Sequence, residues 1–230
     1  MAQDLDVRII SIGALAAHPL WNERAPVRTG HATTTLIRGG RRAIVVDPGL
    51  PAPVLAARLS ERANIAARDV TDVFLTIFHP DMMRGLRAFD GAQWWISERE
   101  RETVGPLLLA KLRDAADEGE ADLRDALAQD AAILERCKAA PDSLMEQVDL
   151  FPLPGVTPGS CGLLIGEARR TTLVCGDAVA TVEHIEQGKV LPRCADVEQA
   201  RESFAEAIEI ADVLIPGRDN VVFSPSKRPF

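Results

Sequence analysis

The residues best suited to chemistry follow a short apolar stretch in the first half of the chain. Residues 73–75 are Val-Phe-Leu and predict a buried strand, and the polar run His79-Pro80-Asp81 begins four residues later. Pro80 has no backbone N–H and a fixed φ angle, so it ends the strand and fixes the turn. We therefore expect His79 and Asp81 at the carboxyl edge of a sheet, where α/β proteins carry many functional loops.

Four other segments place glycine, proline or charged residues close behind predicted strands. They are Asp47-Pro48-Gly49, residues 154–160, Gly176-Asp177 and Pro216-Gly217-Arg218. Together with residues 76–82, they resemble in type and order the motifs of the metallo-β-lactamase superfamily. The family's Thr-His-X-His-X-Asp-His signature reads Thr-Ile-Phe-His-Pro-Asp-Met here. The motifs span nearly the whole chain, so the resemblance implies the family's αββα four-layer sandwich, an α/β fold.

The resemblance implies two adjacent metal positions built from seven residues. Positions 77, 79 and 160 would hold the first metal, positions 81, 82 and 218 the second, and Asp177 would bridge them. Three of the seven keep the ligand type that the family uses: His79, Asp81 and Asp177. Four positions at which the family has histidine carry other residues: Ile77, Met82, Ser160 and Arg218.

These four substitutions argue against a working pair of metal ions. A catalytic zinc ion generally needs three protein ligands, whereas each position here keeps fewer. The Met82 thioether is a poor zinc ligand among oxygens, and the Arg218 guanidinium is a permanent cation. Without a bound metal, nothing lowers the pKa of a water molecule to make it a nucleophile. We therefore expect a pseudoenzyme without a metal cofactor, inactive as a dinuclear metallohydrolase, whose degenerate site retains a pocket for a small molecule or a protein partner.

Arg218 is expected to replace the lost second metal. In the family the residues equivalent to Asp81 and Asp177 reach one ion, so the resemblance implies that the two carboxylates face each other. Two carboxylates ~4 Å apart repel by about 4 kcal/mol at an effective dielectric constant of ~20. A guanidinium neutralises this charge and donates several hydrogen bonds in a fixed fork. We predict that Arg218 bonds to one or both aspartates, which with His79 become vestigial catalytic residues.

Two other functions are compatible with these residues. A hydrolase of esters, thioesters or lactones could hold a single zinc, iron or manganese ion on His79, Asp81 and Asp177, with His184 as an additional ligand. A structural or interaction protein could instead act through a helical insert between residues 98 and 141. Metal content separates the first alternative from the favoured interpretation, and loss of assembly on deleting the insert would indicate the second.

The remaining candidate side chains have plainer interpretations. Ser160 near His79 suggests a serine nucleophile with its base, but serine is common in glycine-rich turns and no oxyanion hole is visible. His79 by itself could be a structural hydrogen-bonding residue. The other histidines, His18, His31 and His184, are expected in loops or at the surface, although His184 follows the Asp177 loop and could line the pocket.

Length and composition indicate an ordinary globular protein with one substantial core, built as a single domain or as two fused halves, and the resemblance implies a single domain over residues 1–230. The chain has 230 residues, 47% of them hydrophobic, and a formal charge of −8, which argues against nucleic acid as a partner. The first residues lack the pattern of a signal peptide, and no apolar run is long enough for a membrane span. We therefore expect a cytoplasmic protein that does not bind membranes, with its four widely spaced cysteines reduced and buried.

Hydrophobic patterning predicts the elements that position these residues. Hairpins are expected over residues 33–46 and 163–175, and further strands at 7–12, 93–96, 148–151 and 213–215. Helices are expected at 51–67 and from an Asp196 cap to Ile210.

A longer stretch, residues 98–141, is rich in Ala, Leu, Glu and Arg and predicts two or three helices, broken near Gly105-Pro106 and Gly119. We expect this insert to present a solvated charged face, with a lid or a homodimer contact as the alternative.

Overall fold

Twelve strands and six α-helices make up the part of the chain that the computed structural model describes, residues 5–227. The strands are β1 (Asp6–Ser11), β2 (Thr34–Gly39), β3 (Arg42–Val46), β4 (Asp72–Leu75), β5 (Gln93–Ile96), β6 (Lys138–Ala139), β7 (Ser143–Met145), β8 (Val148–Pro152), β9 (Cys161–Glu167), β10 (Arg170–Gly176), β11 (Val213–Pro216) and β12 (Val222–Phe223). The helices are α1 (Ala52–Ala63), α2 (Pro80–Met83), α3 (Glu98–Asp117), α4 (Ala121–Arg136), α5 (Val182–Gln187) and α6 (Val197–Ile210). Within this range, no helix combines the length and the apolar composition that crossing a bilayer would require.

The strands form two six-stranded sheets within residues 5–227. The first has the order β1-β2-β3-β4-β5-β6 and the second the order β12-β11-β10-β9-β8-β7. In each sheet an antiparallel hairpin, β2-β3 or β9-β10, is followed by a parallel neighbour, β4 or β11. Both predicted hairpins are therefore present, and the two halves of the chain repeat one arrangement.

Alternation of side chains along β4 explains why helices cover one face of the first sheet. Val73 and Leu75 are fully buried in a cluster that contains Leu55 and Leu59 of α1. Phe74 lies between them in sequence and therefore points to the opposite face, where it joins a cluster with residues of β9, β10 and β11. A strand that is apolar on both faces must be covered on both, which places it between a helix and the second sheet.

The second sheet repeats this pattern along β10. Val174 belongs to the cluster between the two sheets, together with Phe74 of β4. Leu173 and Cys175 belong to a third cluster with Phe204 of α6 on the outer face. The layers are thus helix, sheet, sheet, helix, and the αββα sandwich expected from the sequence is confirmed.

The insert consists of two helices, α3 and α4, joined at Gly119, which has a φ of 73°. The expected break at Gly105-Pro106 is wrong, because α3 continues through Pro106. Proline removes one helical hydrogen bond and costs roughly 3 kcal/mol in a helix interior. The turns on either side keep their own bonds, and α3 packs along α4 with Leu108 and Leu134 buried. This packing offsets the free-energy cost of Pro106, so the helix continues through it.

The loops that carry the predicted site leave the sheets at one edge. Asp81, Asp177 and Arg218 follow β4, β10 and β11, and the carboxyl ends of the parallel strands β10 and β11 lie side by side. At Gly217, an added Cβ would lie 2.5 Å from the carbonyl carbon of Gly176 and 2.8 Å from Asp177 Oδ1. Glycine is therefore needed at position 217, because only its backbone can approach the Asp177 loop so closely.

Candidate functional site

A cavity of about 460 Å³ opens at this edge of the sandwich. Five of the predicted site residues line it: Ile77, His79, Asp81, Asp177 and Arg218. The rest of its wall comes from three segments: residues 15–26 between β1 and β2, residues 156–157, and residues 191–193. These segments are largely alanine, proline, leucine and valine, so the cavity combines a charged group of residues with an apolar wall.

Arg218 connects the two aspartates of the site. Its Nε and Nη2 atoms donate to Oδ1 and Oδ2 of Asp177, each at 2.8 Å, and its Nη1 atom donates to Asp81 Oδ2 at 2.7 Å. The side chains of Arg218 and Asp177 are 4% and 6% exposed, whereas that of Asp81 is 21% exposed. The predicted hydrogen bonds from Arg218 to both aspartates are confirmed, and the pair with Asp177 is the more deeply buried.

The charges around Arg218 are balanced by a second arginine. Arg84 donates to Asp81 Oδ1 at 3.1 Å and to the carbonyl oxygen of Gly30 at 3.1 Å. Burial acts to lower the pKa of Arg218, but the Asp177 and Asp81 carboxylates outweigh it and raise that pKa further above its ordinary value. Arg218 is therefore a permanent cation held between two anions.

His79 caps the short helix α2 at the cavity. Its Nδ1 atom accepts a hydrogen bond from the backbone N–H of Asp81 at 3.2 Å. A neutral imidazole that accepts through Nδ1 carries its proton on Nε2, so this contact assigns the tautomer. His79 is exposed and lines the cavity, and there it offers a hydrogen-bond donor rather than a lone pair.

Three residues expected to line the pocket do not do so. Met82 is fully buried in the core beneath α1, because α2 turns that side chain towards the apolar cluster. The hydroxyl of Ser160 donates to the carbonyl oxygen of Leu153 at 2.5 Å and also lies 3.0 Å from that of Thr157, which secures the glycine-rich turn. His184 is also fully buried, and it lies behind the cavity wall rather than on it.

His184 and His18 form a buried polar group. His18 lies in a loop, as expected, whereas His184 lies inside α5 and is fully buried, so the expectation of a loop or surface position is wrong for His184. The Thr181 hydroxyl lies 2.9 Å from His184 Nδ1 and 3.2 Å from His18 Nε2. The His18 ring also stacks on Trp21, with 4.2 Å between ring centroids. Burial, helped by the nearby His18, lowers the pKa of His184 to about 4. These contacts anchor the 15–26 segment to the loop after β10.

Two further buried carboxylates support the site. Asp47 accepts from the backbone N–H of Thr76 at 2.9 Å and from its hydroxyl at 2.7 Å, and burial raises the pKa of Asp47 to about 7. Glu100 accepts from the Phe78 N–H at 2.9 Å and from the Thr157 hydroxyl at 2.6 Å. In the sequence, Glu100 is recognisable only as the last residue of a Ser97-X-X-Glu100 helix cap, and this local pattern does not indicate its contacts with Phe78 and Thr157.

The residues present do not fit the pair of metal ions that the motif order implies. Both oxygens of Asp177 and one of Asp81 accept hydrogen bonds from Arg218, which is a cation at the position of a ligand. The other substituted positions offer a buried apolar side chain, Ile77 or Met82, or a hydroxyl engaged elsewhere, Ser160. His79 presents a donor instead of a lone pair. Within residues 5–227, no group of three or more acidic, histidine or cysteine side chains has the geometry of a metal site.

Comparisons with known proteins agree with the fold. The sequence profile of the metallo-beta-lactamase superfamily matches residues 27–218. No curated protein sequence matches the chain. Among solved structures, AidC, a dizinc quorum-quenching lactonase in complex with a product, N-hexnoyl-L-homoserine, is 18% identical, covers 84% of this chain and 74% of its own, and has a TM-score of 0.66.

Two further structures are similar over more of the chain. The hydrolase AbOPH of the beta lactamase superfamily is 15% identical, with coverage of 99% and 92% and a TM-score of 0.64. A point mutant of AiiA from B. thuringiensis, with N-decanoyl-L-homoserine bound at its active site, is 18% identical, with coverage of 95% and 94% and a TM-score of 0.64. At these identities the likeness concerns the fold alone.

Proposed function

The chain belongs to the metallo-beta-lactamase superfamily, and from this premise we propose that it binds a small molecule in the 460 Å³ cavity without acting as a dinuclear metallohydrolase. A cavity of this size suits a compact organic ligand, because small-molecule sites typically enclose roughly 300–1,000 Å³. The chain's own residues would bind and orient that ligand. No bound metal hydroxide would be generated to attack it.

One observation carries this proposal: the bidentate contact between Arg218 and Asp177, extended to Asp81. A metal ion bound to these carboxylates would have to compete with a guanidinium that is only 4% exposed. Displacing that guanidinium would leave a buried cation without its partners, which is costly in a weakly polar interior. The arginine therefore both occupies the acidic oxygens and repels a cation from them.

Metal content of the purified protein tests the proposal directly. We expect far less than one zinc, iron or manganese ion per chain after purification without chelator, and no change in the unfolding temperature on adding EDTA. A matched control is the variant in which Arg218 alone is replaced by His, which removes the cation and restores one family ligand. Near-stoichiometric metal in the wild-type protein, removed by EDTA with loss of stability, would contradict the proposal.

A second candidate function is hydrolysis with a single metal ion. It is favoured by the fact that His79, Asp81 and Asp177 all line the same cavity. The neighbours with bound N-acyl-homoserines suggest N-hexanoyl-homoserine lactone as a test substrate. We expect no lactone hydrolysis above background with or without added zinc. Zinc-dependent turnover that disappears on Asp177→Ala would favour this alternative instead.

We also infer that the insert forms a homodimer contact and that the protein is cytoplasmic. Leu107, Leu109 and Leu123 on α3 and α4 are 60%, 52% and 47% exposed, which is compatible with a homodimer contact there. Sedimentation of the wild-type protein and of a Leu107→Glu, Leu123→Glu variant would show whether a dimer is lost.

The four cysteines are all free, three of them buried, as in proteins of the reducing cytoplasm.

A further inference from the structure

The charged residues at the cavity, counted together with the side chains that pair with them, carry an excess of positive charge in a protein that is acidic overall. Three acidic side chains line it: Glu23, Asp81 and Asp177. Each already has a guanidinium partner: Arg28 for Glu23, Arg84 and Arg218 for Asp81, and Arg218 for Asp177. Three carboxylates are thus balanced by three arginines, although the chain as a whole has a formal charge of −8.

Two further arginines then make the cavity positive. Arg24 and Arg193 line it from two different segments of its wall, the loop before β2 and the loop before α6. Both are exposed, which places them at the mouth rather than the floor. Within residues 5–227, neither side chain forms a hydrogen bond or an ion pair. The three carboxylates are neutralised by Arg28, Arg84 and Arg218, so Arg24 and Arg193 leave a net charge of about +2 on this group of residues.

The uncommitted hydrogen-bonding groups at the cavity are also mostly donors. Arg218 has five N–H groups and uses three of them on the aspartates, so one N–H remains on each terminal nitrogen. His79 offers its Nε2–H, since Nδ1 is occupied. The Thr157 hydroxyl, in contrast, already donates to Glu100. These donors lie at the charged floor, apart from the arginines at the mouth, so they disfavour a cationic ligand but do not themselves contact a head group held at the mouth.

The wall between the mouth and the charged floor is apolar. It includes Leu15, Pro19, Val156 and Leu191, together with Ile77 at the floor. These side chains cannot bind a small inorganic anion, but they can bury a hydrocarbon body next to an anionic group.

We propose that the cavity between the 15–26 segment and the Asp177 and Arg218 loops binds an oxyanion with an apolar body, in the first place an aliphatic carboxylate, whose head group is held by Arg24 and Arg193. A planar carboxylate matches the two-donor fork of a guanidinium, and an alkyl phosphate shares the same chemistry. This inference rests on the proposed binding function and adds the chemical class of its ligand.

Titration calorimetry with four probes of equal chain length tests the inference on metal-free protein. The probes are octanoate, octyl phosphate, 1-octanol and octyltrimethylammonium. We expect octanoate to bind at least tenfold more tightly than the neutral alcohol and the cation, and its affinity to fall as salt is raised. The octyl phosphate arm distinguishes a phosphate ligand from a carboxylate.

Variants identify the residues responsible. Replacing Arg24 and Arg193 together by Gln should weaken octanoate binding at least tenfold and reduce its dependence on salt, and each single variant should have an intermediate effect. Arg201 on α6 is an exposed arginine outside the cavity, so Arg201→Gln is the matched control and should change nothing. Among residues 5–227 neither cavity arginine has a hydrogen-bond or ion-pair partner, so circular dichroism should show a folded double variant.

Three results would overturn the inference: equal binding of octanoate and 1-octanol, unchanged affinity in the double variant, or no binding of octanoate or octyl phosphate. A failure of the proposed function would look different. Octanoate binding that requires added zinc and is abolished by EDTA would contradict the metal-free function, while the arginine variants would still decide whether the anionic head group is recognised at the mouth.

Discussion

Removal of the Arg218 guanidinium should strongly destabilise the protein. Arg218→Met keeps much of the aliphatic side chain but deletes three hydrogen bonds, two to Asp177 and one to Asp81. Asp177 then becomes a carboxylate with a 6% exposed side chain and no remaining cation at hydrogen-bond distance within residues 5–227. Asp81, at 21% exposure, keeps its contact with Arg84. Most of the loss should therefore arise at Asp177.

The expected magnitude follows from the burial of this pair. Removing one partner of a buried ion pair typically costs ~3–5 kcal/mol, because the other charge stays buried without compensation. For a domain of this size each kcal/mol lowers the melting temperature by roughly 2–4 °C, so the change should be readily measured. Adding Asp177→Asn to Arg218→Met removes the stranded charge and should recover a large part of the loss. Adding Asp81→Asn should recover less, because Asp81 is more exposed and still paired.

Urea unfolding of the four proteins in the Arg218 and Asp177 double-mutant cycle measures the coupling. Arg84→Met is the matched control, since it removes an arginine from Asp81 at a site where its own side chain is 32% exposed. We expect that control to cost less than about 1 kcal/mol. If Arg218→Met costs no more than Arg84→Met, or if Asp177→Asn gives no recovery, the assignment of Arg218 as the buried counter-ion is refuted.

Three further predictions concern the same site. Replacing Ile77, Met82, Ser160 and Arg218 together by His should create metal binding, seen as a zinc-dependent rise in melting temperature. The metal-free variant should be less stable than wild type, because His at the buried Ser160 and Met82 positions disturbs the packing. A folded variant that does not bind zinc would count against the assigned ligand positions. Burial raises the pKa of Asp47 to about 7, so the folded state binds the proton more tightly than the unfolded state. The free energy of unfolding should therefore fall as pH rises from about 4 to 7. In urea unfolding, Asp47→Asn should lack this decline, and the same pH dependence in the variant as in wild type would contradict the assignment of the raised pKa to Asp47. Gly217→Ala should shift the Arg218 loop, because the added Cβ would lie 2.5 Å from the Gly176 backbone. Thermal unfolding should therefore show a lower melting temperature for Gly217→Ala than for the control Gly91→Ala, where nothing lies within 4 Å of the added Cβ.

Several features of the fold were predictable because they depend on residues close together in sequence. The apolar run of β4, the two hairpins and the Asp196 cap of α6 all appear where local patterns place them. The order of the motifs, each behind a predicted strand, resembles that of the metallo-β-lactamase superfamily, and this resemblance implied the αββα sandwich. The contact of Arg218 with Asp81 and Asp177 was predictable for a related reason, since the resemblance implies that these three positions reach one metal site.

The sequence alone determined which residue types face the site, but tertiary packing decided which of them reach the cavity. Met82 lies one residue from Asp81, yet α2 turns it into the core, because neighbouring residues on a helix point in different directions. His18 and His184 are far apart in sequence and become neighbours through Thr181, a contact no local pattern could indicate. The cavity mouth, with Arg24 and Arg193, is formed by loops that meet only after both sheets have packed. Local periodicity and motif order therefore determine the layers and the charges, whereas side-chain direction and the long-range meeting of loops determine the site.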